Sequence, residues 1–251
     1  MIISHLIHDT PSLKACASTC FAWYTVTAPH LHHTLSLRQW SSTTTRKDLN
    51  PLVALHGLGL LPLVRKVRFR PSCGEKTFCW LGPRIFKSGG FRYFSALANV
   101  QELVIEALDL PKISGMENYF GHFSPSLRSI ALIYFWGSPR QLRNFLNLFP
   151  KLDDIKIAGY LSQGEGSDSP DAQLAPIKGS MRGKLILGEP IGHRTLEILP
   201  LFRGMRFVSI DLGKSQGGQL LLDACTETLQ TLCFCLDNLF TLRKRFLQRC
   251  I

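Results

Sequence analysis

No apolar run in these 251 residues approaches the roughly 20 needed to span a bilayer, which argues against a helical membrane protein. Met1 to Thr10 has no basic flank and no long apolar block, so it does not read as a secretory signal. Walker loops, dinucleotide fingerprints and the Gly-x-Ser-x-Gly turn are all missing. Gly213 to Gly218 holds glycine and lysine but not the Gly-x4-Gly-Lys frame, and it reads as a turn before a helix at Gln219. Charge is also scarce, at 19% of residues, and 16 phenylalanines accompany it; that pairing excludes a largely disordered chain. Acidic residues are the rarer sign, 18 against 29 lysines and arginines, for a net charge of +11. Such a surface suits nucleic acid or an acidic partner. The cations are mostly scattered, with dense runs only at Arg65-Lys66-Arg68-Arg70 and Arg243-Lys244-Arg245-Arg249.

What is present is a repeated phrase: apolar, two residues, apolar, two residues, apolar, one residue, apolar. Full copies are Leu61-Val64-Val67-Phe69, Leu97-Val100-Leu103-Ile105, Phe149-Leu152-Ile155-Ile157 and Phe202-Met205-Val208-Ile210. Shorter ones are Leu127-Ile130-Leu132, Leu185-Leu187 and Leu229-Leu232-Phe234. The closing apolar-x-apolar pair has the alternation of a half-buried strand. Steps between copies are 36, 27, 25, 30, 23 and 24 residues, mostly inside the roughly 20–29 of a leucine-rich repeat. The expected fold is therefore α/β, an irregular leucine-rich-repeat-like solenoid over residues 38–251, with an ordinary α/β domain as the rival. The long steps require insertions, expected at 71–92 (with Trp80 and Phe86) and at the loop Gln163 to Gln173. Ser138-Pro139 starts a helix whose apolar face is Leu142, Phe145, Leu146 and Phe149. Gln219 to Cys225 is a second helical stretch.

Residues 1–37 differ from the rest and predict a short helical segment. Thr10 is expected to cap a helix with Pro11 in its first position. One continuous face would carry Leu13, Cys16, Cys20 and Trp23, interrupted at Pro29, before the apolar stretch Leu31 to Leu37. The text Ile2-Ile3-Ser4-His5-Leu6, Asp9, Ser12-Leu13-Lys14-Ala15-Cys16, Thr19-Cys20-Phe21-Ala22-Trp23 and His30-Leu31 resembles the F-box of fungal, mushroom-type F-box proteins. The repeats behind it resemble the degenerate leucine-rich repeats such proteins carry. That family's box usually opens with Leu-Pro and an acidic-apolar helix ahead of the Ile-Ile segment. Here the text starts at Met1-Ile2-Ile3, so the resemblance implies a box truncated at its N-terminus.

The resemblance implies a substrate receptor of a Skp–cullin–F-box ubiquitin ligase, cytoplasmic or nuclear. Its box would dock on the Skp-family adaptor, and through it on cullin, with Leu6, Leu13, Cys16, Cys20 and Trp23. Some of these five must instead close the helical core. The repeats would hold an unknown protein substrate on their outward strand positions. By alternation these are Lys66, Arg68, Glu102, Val104, Ser129, Ala131, Asp154, Lys156, Ser209, Asp211, Thr231 and Cys233, with Lys66, Arg68, Glu102, Lys156 and Asp211 as the leading candidates. Two alternatives stand beside this: a basic repeat scaffold that binds nucleic acid or acidic proteins, and a scaffold that has lost the box.

No catalytic residue, cofactor or metal site is expected. His5, His8, Cys16 and Cys20 invite zinc, yet the cysteines stand four apart and fit an apolar helix face; zinc pairs are commonly Cys-x2-Cys. His30, His32 and His33 lack cysteine partners nearby and read as a surface turn. Cys233 and Cys235 have no sequence-local base to activate a nucleophile. Without a signal, the eight cysteines read as free thiols in a reducing compartment, with Cys16, Cys20, Cys225 and Cys233 at apolar phases.

Overall fold

The structure is a computed structural model that describes residues 5–6, 8–38, 50–70, 91–112, 116–161, 176–178, 182–188, 198–202, 205–211 and 231–233. In chain order its elements are α1 (Thr10–Thr19), α2 (Phe21–Leu31), β1 (Thr34–Arg38), α3 (Asn50–Gly57), β2 (Lys66–Arg70), α4 (Phe91–Phe94) and β3 (Glu102–Asp109). There follow α5 (Met116–Phe120), β4 (Ser129–Trp136), α6 (Pro139–Leu146), β5 (Asp154–Leu161), β6 (Lys184–Gly188), β7 (Ser209–Asp211) and β8 (Thr231–Cys233). The chain is α/β, and every described strand pairs in parallel with the next in sequence, in the order β1 to β8. Parallel neighbours need crossovers rather than hairpins, which is why helices or turns intervene.

The repeated phrase supplies the core. Leu61, Val64, Val67 and Phe69 are buried, as are Leu97, Val100, Leu103 and Ile105, and Phe149, Leu152, Ile155 and Ile157. Hydrogen-bond register aligns Leu35, Val67, Leu103, Ile130, Ile155, Leu185, Ile210 and Leu232 in one row. That row corrects the fourth copy, which was expected to close on Ile210. Ile210 instead opens its strand pair, and the buried Phe207 takes the place held by Val64 and Val100; Val208 is only half-buried. The row also adds β1, whose Leu35 and Leu37 are buried. The boundary expected between residues 37 and 38 therefore falls inside a strand of the sheet.

A backbone ladder runs just ahead of the strands. The His33 carbonyl accepts from the N–H groups of Arg65 and Lys66, Arg65 from Gln101 and Glu102, Gln101 from Arg128 and Ser129, and Arg128 from Asp153 and Asp154. It continues with Gly183 N–H to the Asp153 carbonyl at 3.2 Å and Val208 N–H to the Gly183 carbonyl at 3.0 Å. Each turn into a strand is thus satisfied by the turn before it, as buried backbone groups require.

Past the second apolar position, three neighbouring strands kink together. Ala107 (φ 63°), Tyr134 (φ 56°) and Gly159 (φ 75°) take left-handed backbone conformations at one level. The kink shifts alternation by one residue, so Leu108 and Phe135 point into the core after Ile105 and Leu132. Gly159 is required there, because a Cβ would lie 2.5 Å from Cδ1 of Tyr134.

The phenylalanines explain how the crossovers hold to the sheet. Phe69, Phe94, Phe123, Phe120, Phe145 and Phe149 form a continuous series of ring contacts, with successive centroids 5.2–6.5 Å apart and mostly edge to face. It links β2, α4, α5 and α6. α6 begins as expected: Ser138 caps it, the Gln141 N–H donates to Ser138 Oγ, and Gln141 Oε1 accepts from the Ser138 N–H at 2.8 Å. Its face of Leu142, Phe145 and Leu146 is buried. The expected helix at Gln219 to Cys225, the loop Gln163 to Gln173, most of 71–92, Cys235 and the run Arg243 to Arg249 lie outside the described residues.

Candidate functional site

The N-terminal helices carry the first candidate surface. Asp9 caps α1, with Thr10 and Pro11 inside the helix; this corrects the expected Thr10 cap. Its carboxylate accepts from the Ser12 hydroxyl at 2.5 Å and the Ser12 N–H at 3.2 Å, and these bonds hold it below its ordinary carboxylate pKa. The expected continuous helix breaks at Cys20, whose backbone is extended (φ −163°, ψ 167°). The Ser18 and Thr19 hydroxyls bond back to the carbonyls of Ala15 and Cys16, competing for acceptors in the last turn. Pro29 does not interrupt the second helix. It lies inside α2, which runs two residues further to Leu31, with the His32 N–H closing on the Ala28 carbonyl.

This break re-sorts the five adaptor candidates. Leu13 is buried at 1% exposure and, with Ala28 and Thr27, closes the core of the helical pair, so it is not on a docking face. Leu6 and Cys16 are half-buried, Cys20 is exposed, and Trp23 is 39% exposed. Beside them stand Phe21 at 82% and Val26 at 40%. Offsets of three, seven and ten along a single helix pass over both. Starting a new helix at Phe21 rotates them to the surface. α2 is apolar on its outer side as well as its inner, the pattern of a helix that is covered on both. Its Thr25 and Thr27 hydroxyls are satisfied within the helix by the carbonyls of Phe21 and Trp23.

His32 ends this unit. Burial pushes its imidazole below the ordinary histidine value of about 6.5. The folded chain therefore binds fewer protons at His32 than the unfolded chain, and stability rises with pH across that window. The contribution is complete above the unfolded value and is lost as pH falls through it toward the folded value. Melting midpoints at about pH 7.5 and about pH 5 should differ, and His32→Gln should narrow the difference. An unchanged difference in the variant would assign it to other groups.

The outward side of the sheet carries the second candidate surface. Three of its leading residues are occupied by cross-strand pairing. Lys66 Nζ lies 2.5 Å from Glu102 Oε1, and Arg68 Nε donates to Glu106 Oε1 at 2.6 Å, with Arg70 Nε 3.7 Å from the same oxygen. Glu106 was missed by alternation from the strand start alone. Val104 is buried, which removes it as a contact residue. Lys156 is exposed between Ala131 and Ile186, and Asp211 is half-buried beside Ile186. Ser129, Ala131, Asp154 and Ser209 are half-buried; for Thr231 and Cys233 only the backbone is described. Tyr134, 40% exposed at the kink, is the large apolar side chain on this side that sequence reasoning missed.

No family model, curated protein or solved structure matches this chain. Among the described residues, no group of three His, Cys, Asp or Glu side chains is arranged to hold a metal ion. Nor is any helix there long and apolar enough to cross a membrane.

Proposed function

We propose that this chain is a non-catalytic substrate receptor of a Skp–cullin–F-box ubiquitin ligase, cytoplasmic or nuclear. In this reading α1 and α2 are the F-box-like segment that docks on the adaptor, and the sheet is an irregular leucine-rich-repeat-like solenoid that holds a protein substrate. The carrying observation is the exposed apolar surface of α2, where Phe21, Trp23 and Val26 stand beside the exposed Cys20. Burying large side chains of this kind stabilises a complex by about 1.5–3 kcal/mol each. The uninterrupted parallel order β1 to β8 supports the solenoid, since open doubly wound sheets reverse their order at a switch point. The turn-to-turn ladder and the buried phrase support it as well.

Capture of the purified Skp-family adaptor tests the reading. Trp23→Ala and Phe21→Ala should each weaken capture by about tenfold or more, as truncated aromatic anchors do. Absence of capture, both by this chain and by one with a Leu-Pro acidic helix added ahead of Met1, overturns it. The second reading is a basic scaffold without ligase association, favoured by the net charge of +11.

A further inference from the structure

The N-terminal rim of the sheet, where the backbone ladder runs, divides electrostatically. Near β2, Arg65 donates to the carbonyls of Pro62 and Asn99, and Lys66 pairs with Glu102. Near β4 to β7 the cations are differently placed. Arg128, Lys151, Arg182, Lys184 and Arg206 are all exposed and occupy the last residues before, or the first residue of, four consecutive strands. The acids that face them are already engaged. Asp153 lies 3.6 Å from Arg128, and Asp154 Oδ1 accepts the Lys184 backbone N–H at 2.7 Å. That leaves the Lys151, Arg182, Lys184 and Arg206 side chains without an ion pair among the described residues.

We propose that this rim is a binding track for an acidic stretch of a partner polypeptide. Strands in a sheet lie about 4.8 Å apart, so the three steps from Arg128 to Arg206 span roughly 15 Å. An extended chain covers about 3.3–3.6 Å per residue, so four or five consecutive residues match the track. Arginine forks suit carboxylates in two-point contact. Single-stranded nucleic acid is bound through stacking aromatics as well as cations. The exposed aromatics of the described residues, Phe21, Trp23 and Tyr134, lie on α2 or at the kink, away from this rim. The ligand is therefore peptide carboxylate. This inference names a substrate class for the receptor reading and rests on it for its biological meaning, but the binding itself does not depend on adaptor docking.

The test uses the full chain and a fluorescent peptide with five consecutive glutamates, read by anisotropy. Its glutamine counterpart, a single-stranded and a duplex DNA serve as competitors. Binding of the glutamate peptide is expected, with none to the glutamine peptide, weakening steeply between about 50 and about 200 mM salt. Arg182→Glu with Arg206→Glu should weaken it at least about tenfold, while Arg140→Glu, exposed on α6, should change it less than about twofold. Amide exchange on the unaltered chain should show peptide protection at 182–184 and 206–208, so the result does not depend on the variants folding. Equal effects of the rim and α6 variants, protection elsewhere, or tighter binding of either DNA overturns the proposal. Adaptor capture is measured separately: its failure with peptide binding intact removes the ligase reading and leaves the track.

Discussion

Replacing Phe145 with alanine is expected to lower the unfolding free energy by about 3–5 kcal/mol. The ring is fully buried, meets Phe120 at 5.2 Å with planes at 89°, and meets Phe149 at 5.4 Å with planes at 82°. Loss of the transfer energy combines with a cavity between two rings that are themselves held by other contacts, so collapse into it is limited. Edge-to-face pairs add about 0.5–1.5 kcal/mol beyond area burial. At this chain length the loss corresponds to a fall in melting midpoint of roughly 6–20 °C. Urea unfolding and a thermal scan measure it. Amide exchange should accelerate first in α6 and in the strands it joins, β4 and β5, because local stability follows local packing. A variant within about 1 kcal/mol of the parent would show that the phenylalanine series does not hold the crossovers to the sheet.

Gly159→Ala is expected to cost about 2–4 kcal/mol, through two separable effects. The left-handed backbone at φ 75° penalises any side chain by about 1–2 kcal/mol. The added Cβ also lies 2.5 Å from Cδ1, 3.1 Å from Cε1 and 3.3 Å from Cα of Tyr134. The ring can swing outward, but the Cα belongs to the neighbouring strand's backbone, and such overpacking costs about 1–3 kcal/mol. A double-mutant cycle resolves the two. With Tyr134→Ala in the background, Gly159→Ala should cost only the backbone part, and the coupling should be of the order of 1 kcal/mol. Additivity within about 0.3 kcal/mol would mean that the ring and the glycine do not share a constraint.

The fourth repeat shows how far local pattern reaches. Phe202, Met205, Phe207, Val208, Ile210 and Leu212 offer apolar residues in two frames two positions apart, and both fit the phrase. Only the pairing of Leu185 with Ile210 chooses between them. The helical pair shows the same limit: heptad-like offsets described one helix, whereas hydroxyls bonding back onto their own turn ended it at Thr19. Offsets therefore named Trp23 but not Phe21 or Val26. Among the outward charges, alternation identified Lys66, Arg68 and Glu102 as surface residues. It could not show that they neutralise one another with Glu106, since the partners lie 36 and 38 residues apart in sequence.

By itself, the sequence determined the α/β class, the strand positions of most repeats, the cap and buried face of α6, and which residues of each strand point inward. These are periodic or local properties: every copy of the phrase buries itself against the same kind of neighbour, so spacing alone reports burial. The tertiary structure decided the register between copies, the stacked kink through Ala107, Tyr134 and Gly159, the pairing that occupies the β2–β3 charges, and the exposed cations at the rim of β4 to β7. Each of those depends on which residue of one strand lies beside which residue of the next. That relation is set by hydrogen-bonded pairing and by crossovers of unequal length, and no single stretch of chain contains it.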